Sequence, residues 1–335
     1  MTLRGALFRA RRVLARAARE AGTEIAVVRS RRGRDGADLA LFHEFAPPPT
    51  GGGHQFFRAF VAELERRGLR VELDTISSGT RVCLLNSFNF DFRRLRRFAR
   101  DDVRFVHRVD GPIATYRGFD DGTDARIAEI NAELATATVV QSRYSLDAHR
   151  ALGIDLVNPR LISNTVDPSV FHPPVEREPI AGRRVRVIAS SWSDNPNKGG
   201  DVLSWLDAHL DHERYELTFA GRTDDVFEHV RVLGPVATEP LAEELRRSDV
   251  YLAASRHDPC SNALLEALAS GLPAVFRASG GHPELVGDAG VPFDEPEEAA
   301  EALDRLVAEL EERRSAIRLT PMEEVADRYL EVLHG

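Results

Sequence analysis

Residues 250–276 read VYLAASRHDPCSNALLEALASGLPAVF. The apolar run Val250–Ala254 is a strand signal, and a polar loop follows it. Asn262–Ser270 then carries apolar residues at helical spacing, and Gly271-Leu-Pro turns the chain into a second strand at Ala274–Phe276. Strand, helix and strand in that order form a βαβ unit, which predicts a parallel sheet and the α/β class.

The same alternation extends on both sides. Val185–Ser190, Glu216–Ala220, Val230–Leu233 and Val291–Phe293 read as further strands, with helices at Gly200–Leu210 and Pro240–Arg247. Upstream lies a second such series, with strands at Leu39–Phe45, Arg70–Leu73, Val82–Asn86, Val103–His107 and Thr138–Gln141. Its helix His54–Arg67 sets Phe56, Phe57, Phe60, Val61 and Leu64 on one face. Between the series, Pro168–Gly182 holds four prolines with little apolar periodicity and reads as a linker. The expected organisation is an amino-terminal extension (1–36), a first α/β domain (37–168), the linker (169–182), a second α/β domain (183–320) and a carboxy-terminal helix (321–335) placed to pack back on the first domain. Glu295–Glu312 reads as an acidic helix with a solvated face.

A chain of 335 residues is long enough for two domains that each bury a core. No apolar run reaches the length of a membrane span. Cys83 and Cys260 stand far apart without metal-ligand spacing, so neither a disulfide framework nor a zinc site is indicated, and a reducing cytoplasm fits. The net charge is −9, although residues 1–34 carry ten Arg against Glu20 and Glu24. A body this acidic argues against a nucleic-acid partner. The basic start, with Leu3, Leu7 and Leu14 at helical spacing, reads as a peripheral contact with an anionic inner membrane face, as a solvated appendage, or as a misassigned start. Arg residues interrupt it throughout, unlike a secretory signal.

Four constellations carry chemistry. Pro47-Pro-Pro-Thr-Gly-Gly-Gly-His-Gln opens a helix after a strand, and Gly52 and Gly53 let backbone N–H groups approach an anion at the positive end of that helix. A plain strand-to-helix turn would use the same residues. It is neither GxGxxG nor a Walker loop. Ser190-Ser-Trp-Ser-Asp-Asn-Pro-Asn-Lys-Gly-Gly contains Lys198, the sole lysine of the chain. A compact ammonium in an otherwise arginine-only sequence suits a phosphate, with a chance surface lysine as the bland reading. In the 250–276 stretch, Asp258 lies in the loop and Glu266 one turn into the helix, eight positions on. One carboxylate can accept from sugar hydroxyls and the other from a ribose, while the Ser261, Asn262 and Ala263 amides remain for a diphosphate. An N-cap with an ordinary helical glutamate is the competing reading. Gly280-Gly-His-Pro-Glu-Leu-Val-Gly is a further glycine turn, weak by itself.

Taken in order, Gly-Gly-Gly, Lys-Gly, acidic-x7-Glu, Ala-x-Gly-x-Pro and Gly-Gly-x-x-Glu resemble the family 4 glycosyltransferases over roughly residues 38–335. The resemblance implies two Rossmann-like domains with parallel sheets facing a cleft, the GT-B architecture. It implies transfer from a UDP- or GDP-linked sugar with retention of configuration, and neither a metal nor another cofactor. Lys198 matches the family lysine on the donor diphosphate, Glu266 the ribose-binding glutamate, and Asp258 the first glutamate, one methylene shorter. Ser193 stands where many members carry an arginine that shares the phosphate charge. His107, in Val106-His-Arg-Val-Asp-Gly-Pro, matches a histidine near the donor sugar, and with Asp258 is the expected catalytic pair; a core histidine is the alternative. Asp110, Tyr116, Arg117 and Arg143 are assigned to the acceptor or sugar pocket. Asn164-Thr-Val-Asp followed by Phe171-His-Pro resembles the family's exit from the first domain. The implied role is synthesis of a glycan, polysaccharide or glycolipid on a glycan, lipid-linked or small-molecule acceptor. The alternatives are an inactive nucleotide-sugar binder and another GT-B enzyme such as an epimerase.

Overall fold

The computed structural model describes residues 22–24, 26–27, 36–46, 52–191 and 195–335. In the first domain the order is β1 (Leu39–Phe42), α1 (Gly52–Arg66), β2 (Val71–Leu73), β3 (Val82–Asn86), α2 (Phe92–Phe98), β4 (Arg104–Val109), α3 (Ile113–Arg117), α4 (Thr123–Leu134), β5 (Ala135–Val140), α5 (Arg143–Ala151) and β6 (Pro159–Leu161). The second holds β7 (Val185–Ser191), α6 (Gly200–His209), β8 (Tyr215–Gly221), β9 (Arg231–Gly234), α7 (Thr238–Arg247), β10 (Val250–Ala253), α8 (Asn262–Ala269), β11 (Ala274–Arg277), α9 (His282–Val286), β12 (Gly290–Phe293), α10 (Ala299–Ala308) and α11 (Leu310–Ser315). Last comes α12 (Met322–His334).

Each domain has one six-stranded sheet, in the orders β2-β1-β3-β4-β5-β6 and β12-β11-β10-β7-β8-β9. Every strand pair is parallel. Central strands such as β1 (LALF) and β3 (VCLLN) are buried at every position, because crossover helices cover both faces of a parallel sheet. The chain is thus an α/β protein with two Rossmann-like domains in the GT-B arrangement. Chain direction around the sheet reverses between β1 and β3 in one domain and between β7 and β10 in the other. Such switch points open a crevice at the carboxyl ends of the strands, where ligands of open α/β sheets bind.

The carboxy-terminal helix α12 lies against the first domain, with Val325, Ala326, Tyr329 and Leu333 buried among Phe56, Phe60, Leu64 and Leu84. The acidic stretch 295–312 keeps its acidic residues exposed, as a solvated face requires, but runs as a 3-10 turn followed by α10 and α11. Ala299, Ala302, Leu303, Leu306 and Leu310 recur at helical spacing and close the second core, so the charges occupy only the outer side. The segment 168–182 has no regular element, yet it is pinned to the second domain. Phe171 is buried in that core, and Arg177 donates to the carbonyls of Ser270 (2.8 Å) and Gly271 (2.9 Å). The amino-terminal extension lies almost wholly outside the described residues, as does Gly51.

Candidate active site

The two switch points face each other across a cavity of about 310 Å³. Gly52 and Gly53 at the start of α1, Phe88 and Asn89 after β3, and Asp110 after β4 line the first-domain side. The second domain contributes Ser190, Lys198, Asp258, Ser261, Asn262 and Ala263. A smaller adjoining cavity of about 80 Å³ holds Glu266, Gln55 and Thr238, and shares Gly52, Ser190 and Ala263 with the larger one.

Lys198 reaches this position because a short 3-10 turn, Pro196–Lys198, follows β7 and is set by Asn195, whose side chain accepts from Asn197 N. Its Nζ donates to Asp258 Oδ2 at 2.8 Å and lies 4.9 Å from the centre of the Tyr116 ring. Burial disfavours the ammonium, but the Asp258 carboxylate outweighs it and raises the lysine pKa above its ordinary value. Burial likewise opposes the charge on Asp258, and Lys198 with His282 overcomes it, so that carboxyl titrates below its ordinary value. Glu266 differs: burial is the sole cause acting on it, and pushes its pKa up to about 8. Cys260, between these acids, is pushed up to about 12 chiefly by burial and is no thiolate nucleophile.

Ser261 caps α8, its Oγ accepting from Leu264 N, and Ser261, Asn262 and Ala263 at that helix start, whose first N–H groups have no partner within the helix ladder, line the cavity. Opposite stands the start of α1. A Cβ on Gly52 would lie 2.2 Å from Asn262 Cβ, so only glycine lets the two helix starts approach this closely.

Among the other expected site residues, Asp110 and Tyr116 line the cavity, and the Tyr116 carbonyl accepts from Asn195 (3.1 Å) and Asn197 (2.8 Å) across the cleft. Two assignments are corrected. His107 does not line the cavity: it is fully buried, with Nε2 2.9 Å from the Ser87 carbonyl and Nδ1 3.3 Å from the Asn131 amide, and burial pushes its pKa down to about 4. It is a core histidine because the strand faces it into the domain, whereas Asp110 follows the strand end. Arg143 has an exposed side chain outside the cavity. Ser193 lies outside the described residues.

Arg108 went unread in the sequence. It is 1% exposed, lines the cavity and stacks on Phe56 and Phe57. It donates to Asn86 Oδ1 (2.6 Å), Asp110 Oδ1 (2.9 Å) and Asn164 Oδ1 (3.1 Å). Asn164 in turn donates to Asn262 Oδ1 at 3.0 Å, across the cleft. The available signal was a charged residue inside a strand that burial on both faces should have kept apolar.

Residues 195–309 match the family described as glycosyl transferases group 1. The comparison with curated proteins gave no match. Among solved structures, a sucrose-phosphate synthase from Thermosynechococcus elongatus aligns at 16% identity and TM-score 0.68, covering 88% of this chain and 98% of that one. Anabaena HepE in complex with UDP and glucose aligns at 13% identity and TM-score 0.62, covering 89% and 97%. AviGT4, a glycosyltransferase involved in avilamycin A biosynthesis, aligns at 16% identity and TM-score 0.58, covering 89% and 97%. The group 1 match across much of the second domain, on a chain with this architecture, marks the protein as a transferase enzyme. Among the described residues no helix is long and apolar enough to cross a membrane.

Proposed function

We propose that the chain moves a sugar from a UDP- or GDP-linked donor to a hydroxyl of a glycan, lipid-linked or small-molecule acceptor, with retention of anomeric configuration. One observation carries this reading: Lys198 and the starts of α1 and α8 converge on one cavity between the domains. A diphosphate is the anion such an arrangement suits, since helix starts supply N–H donors and positive potential, and Lys198 supplies a full charge.

In the reaction the bond from the anomeric carbon to the β-phosphate oxygen breaks as the bond to the acceptor oxygen forms. The acceptor proton leaves with the phosphate or to solvent. Lys198 exchanges Asp258 for the diphosphate and stabilises its growing charge together with the α8 amides. Asp258, released from the lysine, accepts from hydroxyls of the transferred sugar, and Glu266 accepts from the ribose in the adjoining cavity. Asp110, oriented by Arg108, and Tyr116 face the acceptor. These protein groups meet the diphosphate charge, and we assign no metal or further cofactor to the step. HepE, solved with UDP-glucose and with UDP and glucose, supports the choice of donor. We place the reaction in the cytoplasm, where residues 1–34 would offer contact with acceptors at an anionic membrane surface.

Incubating the protein with UDP- and GDP-sugars and following nucleoside diphosphate release tests the proposal. NMR of the freed or transferred sugar then reads its anomeric configuration. Release from one donor with the starting configuration kept is the expected result. No release from any donor, with or without candidate acceptors, would overturn it.

A further inference from the structure

The turn Gly280-Gly-His-Pro-Glu284 lies outside the cavity, yet each of its parts meets either the Asp258 loop or the other domain. Gly280 has φ +65°, and a Cβ there would lie 2.3 Å from the Asp258 carbonyl oxygen. Gly281 donates its N–H to that same oxygen at 2.8 Å. A Cβ on Gly281 would lie 2.3 Å from the Pro259 oxygen and 3.3 Å from Ser142 Cβ, which belongs to the first domain. His282 is fully buried beneath the loop, with Nε2 3.2 Å from Ser255 Oγ. The two glycines thus let the turn, the Asp258 loop and the start of α5 meet without side chains between them.

Glu284 completes the contact. Its Oε2 accepts from Arg143 N and its Oε1 from Tyr144 N, both at 2.8 Å. These are the first two N–H groups of α5, and no residue of a helix's own ladder can pair them. The third, Ser145 N, donates to the N-cap Ser142 Oγ at 3.0 Å. The first turn of a first-domain helix is therefore capped jointly by its own serine and by a carboxylate of the second domain. Beside it, Tyr144 Oη lies 3.1 Å from His257 Nδ1, one residue before Asp258. His257 takes φ +57°, a left-handed backbone unusual for a non-glycine residue, and its N–H donates to Ser279 Oγ at 3.0 Å.

We propose that the Gly280–Glu284 turn is an interdomain latch, in which Glu284 and Tyr144 are positioning residues that dock α5 on the second domain and fix the Asp258 loop. This rests on the reading of the cleft as the donor site. A carboxylate at the positive end of a helix favours the docked arrangement, and the contact, being solvent-exposed, is weak enough to open and sensitive to salt. Asp258 then holds its working position only while the domains are together.

Small-angle X-ray scattering of the full chain without nucleotide tests the latch independently of any donor. Glu284→Ala removes the carboxylate. Arg143→Pro removes one N–H donor and leaves Glu284 in place; proline is tolerated at the first helical position, and Ser142 before it is already extended at φ −150° and ψ 158°. Both variants are expected to raise the radius of gyration by about 5% over the roughly 20 Å of a compact chain of this length. Both are also expected to raise the donor KM about two- to fivefold, the effect of one charge at a helix start, with kcat changed less. Glu284→Gln should fall between. Scattering from Arg143→Pro identical with that of the unmodified chain overturns the latch, whatever Glu284→Ala does. If no nucleotide binds the unmodified protein, the proposed function fails while the scattering comparison still decides this point.

Discussion

Glu266 and Lys198 lie in the two adjoining cavities of the proposed donor site, and both titrate above their ordinary values, Glu266 through burial and Lys198 through the Asp258 carboxylate. The Glu266 carboxyl is buried without a compensating cation, and its pKa rises to about 8. Hydroxyls donate more strongly to an ionised carboxylate than to a neutral acid. Nucleotide affinity is therefore expected to increase as pH rises through about 8, and to stay flat in Glu266→Gln, as calorimetric titrations at a series of pH values would read. Stability follows the reverse course. The folded pKa lies above the ordinary 4.5, so the folded state holds the proton more tightly than the unfolded one. That contribution is complete below about 4.5 and is lost as pH rises through about 8. In thermal melts the unmodified chain should lose stability relative to Glu266→Gln across that window; parallel pH profiles would count against an unpaired, buried Glu266.

At the scale of elements, the approach of α1 and α8 is the feature on which the cleft depends. Gly52→Ala should add less than about 0.5 kcal/mol of helix propensity to α1, since Gly52 is its first residue and not in its interior. Its methyl, however, would meet Asn262 at 2.2 Å. The expected outcome is a protein that melts no lower but binds nucleotide more weakly, and unchanged affinity would mean that the contact does not matter. The α12 helix makes a different prediction. Leu333 is 1% exposed in the first-domain core, so Leu333→Ala is expected to cost about 2–5 kcal/mol in chemical denaturation. A loss below 1 kcal/mol would show that α12 is not part of that core. Elements with strong local signals were legible from residues alone: α8 begins at Asn262 as its serine cap requires, β3 spans the expected Val82–Asn86, and β1 starts at the expected Leu39 but ends at Phe42, short of Phe45, where the apolar run gives way to His43 and Glu44. β6 was not, because a three-residue edge strand that begins with Pro159 has neither length nor alternation to announce it. His107 was misassigned for a related reason: a motif gives the strand but not the side to which a residue of that strand points.

For the whole molecule, the two sheets matter less for their cores than for where their switch points meet. The cavity pairs Lys198 with Asp258 and Arg108 with Asp110, so its fixed charges balance before any anion arrives. In the proposed reaction a diphosphate draws Lys198 away from Asp258, which frees a carboxylate at the moment a sugar is present to take it. The lysine, Asp258 and the glycine loops could be read in the sequence because each sits in a loop defined by its neighbours, and Glu266 because it lies one turn into α8 at a fixed spacing from Asp258. The Arg108–Asn164–Asn262 chain across the cleft could not, because it joins residues 98 positions apart that only the closing of two domains brings together. The measurement that bears most directly on the account is isothermal titration of UDP- and GDP-sugars into the unmodified chain and Lys198→Ala. Saturable binding of one donor class, weakened roughly 10- to 100-fold by the substitution, is expected from the loss of a hydrogen bond to a charged group. Absence of binding to either class, or equal affinity in Lys198→Ala, would contradict a donor diphosphate held by Lys198.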